Sequence, residues 1–330
     1  MFLATLPIDQ AVGHILRHNI ADAAGHKALP KGKRLTDDDV TRLRALGITS
    51  VRVAVLEPGD VHEDEAARRL AAVVCRPGVM ATDAVHSRVN LLAEADGVVE
   101  VEEAALLAIN AIDGLTIATL PNHALVRRRR RVATIKIIPF ALPEALVQQA
   151  ERVGVEAGGV VGVRPLQQRR VGVLLVVSPE ARERITRLVL PAIESRVTEL
   201  GSTVGAVRYA ALDEHEVAEG IAALHAAGND LLITAGETSI MDRDDVTPQG
   251  IRIAGGHIEH YGAPVEPGNL LLLAYLDDGT PQGMPILGAP GCVRSRATNI
   301  VDLLLPRLLS GERITRRDII ELGHGGLLER

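Results

Sequence analysis

The stretch LLITAGETS, at residues 231–239, is an apolar run that ends in a turn of small residues and hydroxyls. Such a run predicts a buried strand that delivers the chain to a ligand site at its C-terminal edge. Small residues let the backbone approach a phosphate, and the N–H groups and hydroxyls can hydrogen-bond it. A strand, a loop and a capped helix without any ligand would account for the same stretch about as well.

An acidic cluster follows directly in the stretch MDRDDVTP, at residues 241–248. Its carboxylates could hold Mg²⁺ beside a phosphate or orient a nucleophile, and we expect Asp242 and Asp244, rather than Asp245, to be the metal ligands and catalytic residues. The alternative is a solvated acidic loop that favours the start of the next helix. Arg243 could pair with a phosphate or form an internal salt bridge.

Strand and helix patterns alternate along residues 170–310. Strands are predicted at 170–177, 203–209 and 230–234, and Asp213 is predicted to cap the helix before the third. Two successive strand–helix–strand units imply a parallel sheet with right-handed crossovers. Because loops that follow parallel strands share one edge, the loops at Thr234 and Gly288 are expected to converge there.

The N-terminal half is less regular and predicts a mixed α+β region over residues 1–166. Its clearest signal is a helix start, with Thr36 as the N-cap and Asp39 three residues on. The polar stretch QQRR at residues 167–170 breaks the apolar pattern. We therefore predict a domain boundary near this point and an α/β domain over residues 167–330.

Two later segments each place Pro-Gly beside an apolar run: PVEPGNL at residues 264–270 and GAPGCVRS at residues 288–295. Together with the 231–248 stretch, and in this order, they resemble the molybdopterin-binding domain of molybdenum-cofactor biosynthesis proteins. That family carries a Thr-x-Gly-Gly-[Thr/Ser]-Gly loop followed by Asp, then a Pro-Gly turn, then a [Leu/Ala]-Pro-Gly loop before a helix. The resemblance is tightest to members associated with molybdenum hydroxylases, which have similar DRxDV and PGNLL segments and an ending similar to GHGGLL at residues 323–328.

The resemblance implies a mostly parallel sheet flanked by helices, and a ligand that is molybdopterin or the molybdenum cofactor. It implies either adenylylation of the pterin phosphate or molybdate insertion with loss of the adenylate, with Mg²⁺ and with ATP for the first reaction. Arg294 and Ser295 are predicted to lie in the first turn of a helix, where a cation opposes the helix dipole and an anionic ligand would explain it. The residues implied to bind the cofactor are Thr234, Gly236, Thr238, Ser239, Arg243, Pro267, Gly268, Gly288, Pro290, Gly291, Arg294 and Ser295.

The chain also departs from the family pattern. Glu237 stands where the wider family has its second glycine, and Ser239 where it has the last. A negative charge at Glu237 favours an alternative function as a non-catalytic carrier or insertion factor for a molybdenum hydroxylase. A nucleotide pyrophosphatase-type relative is a third interpretation. The broader family commonly forms homo-oligomers, so we expect one here.

Composition narrows the class of protein. Hydrophobic residues make up 47% of the 330 residues and aromatic residues only 2%, so the cores must be aliphatic. The net charge of −6 argues against a general nucleic-acid binder. No apolar run reaches ~18 residues and the N-terminus does not resemble a signal peptide, so we expect a cytoplasmic protein without a membrane span. The five arginines at 127–131 predict a solvated face, or else a site for phosphate or an acidic partner.

Overall fold

The structure is a computed structural model and describes residues 1–328. The chain forms two compact units, the first spanning Met1–Arg164 and the second beginning at Pro165. Among the described residues, no helix has both the length and the apolar character that crossing a bilayer requires.

The first unit is a mixed α+β structure built from short elements, as the sequence predicts. Its elements, in chain order, are β1 (Phe2–Pro7), β2 (Ile15–Leu16), β3 (Ile20–Ala21), β4 (Lys27–Leu29), α1 (Asp37–Ala45), β5 (Ser50–Val55), β6 (Asp60–His62), α2 (Glu63–Val74), β7 (Val79–Ala81), β8 (Arg88–Ala93), β9 (Gly97–Val101), α3 (Glu103–Asn110), β10 (Leu115–Thr119), β11 (Leu125–Val126), β12 (Arg131–Ile137), β13 (Ala141–Pro143), α4 (Glu144–Glu156) and β14 (Val161–Pro165).

These elements build separate small sheets. One has the order β1-β5-β2 and closes over α1, whose Val40 and Leu43 lie in its core. A second has the order β10-β12-β8-β7 and packs against the apolar face of α2. The N-terminus of α1 has the predicted capping box, in which Thr36 and Asp39 bond each other's backbone N–H groups.

The second unit contains one six-stranded sheet. Its elements, in chain order, are β15 (Arg170–Val176), α5 (Arg182–Glu199), β16 (Thr203–Ala210), α6 (Glu214–Ala226), β17 (Leu231–Gly236), α7 (Val246–Ile253), β18 (Gly256–Tyr261), β19 (Leu272–Leu276), β20 (Met284–Gly288), α8 (Ile300–Leu309) and α9 (Arg316–Glu321).

The strand order is β16-β15-β17-β20-β19-β18. The first four strands are parallel, and β19 and β18 extend the sheet as antiparallel strands. The predicted α/β fold with a mostly parallel sheet is therefore confirmed for this half of the chain. Successive side chains of β15 point to opposite faces, so Val173 packs in the core that includes α5 and α8 while Leu174 packs in the core beneath α6 and α7.

Candidate functional site

The carboxyl edge of the parallel strands brings the predicted loops together. Thr234 of β17 is in register with Leu174 on one side and with Gly288 on the other. Just beyond this pair, the N–H of Ala289 donates to the Thr234 carbonyl at 2.8 Å. The loops after β17 and β20 therefore start side by side, as the sequence predicts, although they are separated by the whole of α7, β18 and β19.

The turn after β17 is fastened to the strand beside it. Gly236 ends β17, and a Cβ on it would stand 2.9 Å from the Val176 carbonyl oxygen. The N–H of Glu237 donates to that same carbonyl at 3.2 Å. The Glu237 carboxylate accepts a hydrogen bond from the Ser178 hydroxyl at 2.9 Å. The residue that replaces the family glycine thus ties its loop to the one after β15.

The next residues line a cavity of about 310 Å³ together with the start of α7. Thr238, Ser239 and Ile240 lie on one side of it, with Leu212 from the loop after β16 on another. The Ser239 hydroxyl oxygen lies 3.3 Å from the position that a Cβ on Gly291 would occupy. The same position lies 3.0 Å from Arg294 Nη2. The loops after β17 and β20 therefore approach each other closely at Gly291.

Thr234 has a buried hydroxyl with no internal partner. Its side chain is only 1% exposed, and its Oγ1 makes no hydrogen bond with any group in residues 1–328. Leaving a buried hydroxyl unpaired costs about 1–3 kcal/mol, so native proteins rarely do it without a reason. Because its backbone lies where the loops after β17 and β20 start, the hydroxyl is a candidate for a ligand contact.

The acidic turn between β17 and α7 is organised by its own carboxylates. Asp245 accepts from the N–H groups of Met241 at 2.6 Å and Asp242 at 3.0 Å. Asp242 in turn accepts from the Asp244 N–H at 2.9 Å. Asp242 and Asp244 are exposed. Within residues 1–328 the three aspartates do not bring ligand oxygens within 4.8 Å of one another as a group, so they do not form a metal site made by protein alone.

Arg243 is exposed and makes no ion pair with any of residues 1–328. The alternative of an internal salt bridge is therefore wrong. Arg243 contacts Arg252 through its backbone, because the Arg243 carbonyl accepts a hydrogen bond from Arg252 Nη1 at 2.8 Å. The guanidinium remains a candidate for pairing with an anion.

The prediction that a helix starts near Arg294 is wrong. Gly291–Arg294 is a single 3-10 turn with Pro290 as its N-cap, and the α-helix begins only at Ile300. Arg294 is at the end of that turn, where its Nε donates to the Gly291 carbonyl at 2.7 Å. The argument that a helix dipole opposes Arg294 therefore fails. The Ser295 hydroxyl accepts from the Ala297 N–H at 3.1 Å and shapes the loop that follows.

Arg196 of α5, which the sequence analysis did not single out, holds this loop in place. Its side chain is 8% exposed. Its guanidinium donates to the carbonyls of Val293 at 2.9 Å and Ser295 at 2.8 Å, and to the Asp302 carboxylate at 2.8 Å. The sequence signal was an arginine inside the apolar stripe of α5, because such a residue needs several internal acceptors.

The Pro267–Gly268 turn reaches the same edge from the antiparallel side. Leu272, at the start of β19, is in register with Gly288. The Pro267 carbonyl accepts from the Ile300 N–H at 3.2 Å, and Gly268 has φ of 141°. A Cβ on Gly268 would stand 2.4 Å from Ile300 Cγ2. Any side chain at position 268 would therefore clash with Ile300, which is a packing reason for glycine there.

The segment that forms this edge is similar in sequence to a known family. Residues 174–310 match the family described as the probable molybdopterin binding domain. This match begins within β15 and includes the other three parallel strands and every loop of the carboxyl edge, so the molybdopterin-binding resemblance is confirmed for the C-terminal half. The finer association with molybdenum hydroxylases stays a prediction. Residues 5–55 match a domain of unknown function, and no curated protein matches the chain.

The solved structures that are similar to this chain include those of the following three proteins. The chain is 12% identical to a molybdenum cofactor biosynthesis protein from Pyrococcus furiosus, over 94% of this chain and 64% of that one, with a TM-score of 0.27. It is 19% identical to a candidate molybdenum cofactor biosynthesis protein from Corynebacterium diphtheriae, over 44% and 97%, with a TM-score of 0.31. It is 12% identical to the molybdopterin biosynthesis protein moeA from Pyrococcus horikoshii, over 94% and 75%, with a TM-score of 0.28. The chain thus spans less than two thirds of the first of these proteins.

Proposed function

We propose that the carboxyl edge of the second unit binds the phosphate of molybdopterin during molybdenum cofactor biosynthesis. The observation that carries the proposal is the meeting of two loops there, with the Ser239 hydroxyl 3.3 Å from the Cβ position of Gly291. The family match over residues 174–310 supplies the ligand class. The hydroxyls of Thr234, Thr238 and Ser239 would donate to the phosphate, and Arg243 would offset its charge.

A bound phosphate would also complete a Mg²⁺ site. Mg²⁺ in proteins is commonly held by one or two carboxylates together with substrate phosphates and water. Asp242 and Asp244 are exposed on the turn beside the cavity, so this donor set fits a metal that arrives with the phosphate. The ion would neutralise phosphate charge in adenylylation with ATP or in molybdate insertion. The chain's own part is to bind and orient the pterin phosphate.

One observation favours the carrier alternative. Glu237 keeps a carboxylate in the loop where the family has glycine, and Ser178 holds it there at 2.9 Å. A fixed negative charge opposes the build-up of phosphate charge that adenylylation requires. Under this alternative the protein binds the cofactor without nucleotide turnover and delivers it to a molybdenum hydroxylase. Homo-oligomer formation and a cytoplasmic location belong to the same proposal.

Calorimetric titration with molybdopterin tests the binding site. We expect Thr238→Ala to weaken binding about tenfold, because a hydrogen bond to a charged group contributes about 1.5–3 kcal/mol. Thr198→Ala is the matched control, since Thr198 is an exposed threonine on α5. Equal affinity in the wild type and Thr238→Ala, or no binding by the wild type, would contradict the proposal.

A turnover assay then separates enzyme from carrier. If the protein is an enzyme, Mg²⁺-dependent formation of adenylated or molybdenum-loaded cofactor is lost in Asp242→Ala and Asp244→Ala and retained in Asp37→Ala, an exposed aspartate of α1. Full activity in both aspartate variants would contradict the assignment of Asp242 and Asp244 as catalytic residues. Binding of molybdopterin without any turnover in the wild type supports the carrier.

A further inference from the structure

The first unit contains a cavity of about 480 Å³, remote in sequence from the loops described above. Its walls come from the segment before α1, from the turn before β8 and from the end of β12 and the residues after it. Neither the match over residues 5–55 nor the proposed function assigns it a role. Its volume falls in the range of small-molecule sites, roughly 300–1,000 Å³.

Four lysine and arginine side chains line this cavity: Arg17, Lys27, Lys31 and Lys136. The chain has 36 lysines and arginines, but its only lysines are residues 27, 31, 33 and 136. Three of the four lysines therefore line a single cavity. The chain as a whole is acidic, with a net charge of −6, so general surface charge does not explain the cluster.

The four cations are not used to hold the fold through ion pairs. Within residues 1–328, none of them pairs with a carboxylate, whereas Lys33, the remaining lysine, pairs with Asp39 at 2.5 Å. The one acidic residue in the lining is Glu63, which is 8% exposed. Burial raises the pKa of its carboxyl, against the lowering effect of Lys136. An excess of cations over carboxylates around a concave surface creates a positive potential that attracts anions.

The side chain of Lys136 is held in place by a turn with an unusual backbone conformation. Lys136 Nζ donates to the Ser87 hydroxyl and, at 3.0 Å, to the His86 carbonyl. His86 and Ser87 have φ of 51° and 63°, a left-handed conformation that few non-glycine residues adopt. The buried Ser87 N–H donates to Asp64 Oδ1 at 2.6 Å, which holds the turn. Such conformations persist only when the surroundings impose them, and they cluster at ligand sites.

The cavity lining also contains apolar side chains that are partly open to solvent. Phe140 lies there with Lys31 Nζ 5.5 Å from its ring centroid. Leu3 is 51% exposed and Ile138 is 62% exposed, and both line the same cavity. A planar apolar group could cover these side chains and the Phe140 ring while an attached anion reaches the lysines.

We propose that this cavity binds the phosphate monoester of a planar heterocycle, with the phosphate among Lys31, Lys136 and Arg17 and the ring against Phe140, Leu3 and Ile138. A nucleotide and a pterin phosphate share this chemistry. The site lies wholly in the first unit and does not depend on the function proposed for the second.

Calorimetry on the full chain tests the ligand class with AMP, neopterin monophosphate, adenosine and ribose 5-phosphate as probes. We expect AMP or neopterin monophosphate to bind, and the better of the two identifies the source of the ring. Adenosine and ribose 5-phosphate should each bind at least tenfold more weakly, because each lacks one half of the recognised group. The affinity should fall as salt is raised. No binding of either monoester, or equal binding of ribose 5-phosphate, overturns the proposal.

Charge-removing variants locate the binding. Lys31→Gln and Arg17→Gln should each weaken binding of the better probe about tenfold, while Arg42→Gln, at an exposed arginine of α1 in the same unit, should not. Wild-type affinity in Lys31→Gln contradicts a site in the first unit, and that result does not bear on molybdopterin binding by the second.

Discussion

At the scale of single residues, Thr234 and Ser239 carry the same functional group in opposite environments. Ser239 is half-buried beside Gly291, in a position open to a ligand. Thr234 is inside the sheet edge, where its hydroxyl is shielded from water and finds no acceptor in residues 1–328. An unpaired buried hydroxyl destabilises the ligand-free protein and is relieved when a ligand supplies the missing hydrogen bond.

Thr234→Val tests this interpretation of the hydroxyl. Valine has nearly the same shape, so replacing the unpaired hydroxyl should raise the free energy of unfolding of the ligand-free protein by about 1 kcal/mol. The same substitution should weaken molybdopterin binding, which calorimetry would measure alongside urea unfolding. Thr203→Val, at the exposed start of β16, is the control. A Thr234→Val protein that is less stable than the wild type would show that the hydroxyl is paired in solution.

Single residues also show how far sequence reasoning reaches. The caps at Thr36 and Asp213 are correctly predicted because a cap depends only on residues two or three positions away. The predicted helix at Arg294 is wrong because the chain from Ser295 to Asn299 is held by distant groups, chiefly the Arg196 guanidinium. Propensity within a short window cannot include such a contact.

At the scale of elements, the end of the second unit is held by a buried ion cluster. Arg307 of α8 is 2% exposed, and its guanidinium donates to Glu312 at 2.5 Å and to Asp318 of α9 at 2.8 Å. These two acceptors, one before α9 and one within it, fix the packing of the last helix against α8. The cost of burying the charge is offset only while these partners remain.

Arg307→Ala should therefore destabilise the second unit by about 3–5 kcal/mol, because two carboxylates lose a buried partner. Arg317→Ala is the matched control on α9, since Arg317 pairs with Glu321 at the surface, and it should cause no measurable change. Urea unfolding followed by circular dichroism gives both values. Similar stabilities of the two variants would mean that the buried cluster does not support this end of the fold.

Elements also explain why the fold class was predictable. Apolar runs alternate with helical periodicity from Arg170 onward, and that alternation alone requires parallel strands joined by crossovers. The antiparallel β18 and β19 were not part of that prediction. Their pairing depends on how the chain returns after Tyr261 through the Pro267–Gly268 turn, and the packing of Gly268 against Ile300 is a long-range contact.

At the scale of the whole molecule, the two compact units raise the question of independent folding. The contacts divide the chain at Arg164 and Pro165, and the sequence predicts domains at 1–166 and 167–330. Gln167 belongs to the second unit by its hydrogen bonds, because its N–H donates to the Leu309 carbonyl and its own carbonyl accepts from Ser202. A fragment should therefore begin at Pro165 to retain them.

We expect a fragment of residues 165–330 to unfold cooperatively in urea by itself. The reason is that its two cores, on opposite faces of one sheet, are made from its own residues. It should also bind molybdopterin if the proposed function is correct, and it should not bind the phosphate monoester of the first unit. Gradual, non-cooperative unfolding would show that the second unit needs the first in order to fold.

The sequence by itself determined the aliphatic cores, the helix caps, the parallel sheet and the edge at which the loops of β17 and β20 meet. Each of these follows from patterns within a few residues or from the fixed geometry of parallel strands. Only the tertiary structure decided that Ser239 faces Gly291, that Arg196 anchors the turn after Pro290, and that Lys31 and Lys136 share one cavity. These contacts join residues dozens of positions apart, and the free energy that selects them arises from packing and hydrogen bonding between elements rather than within them.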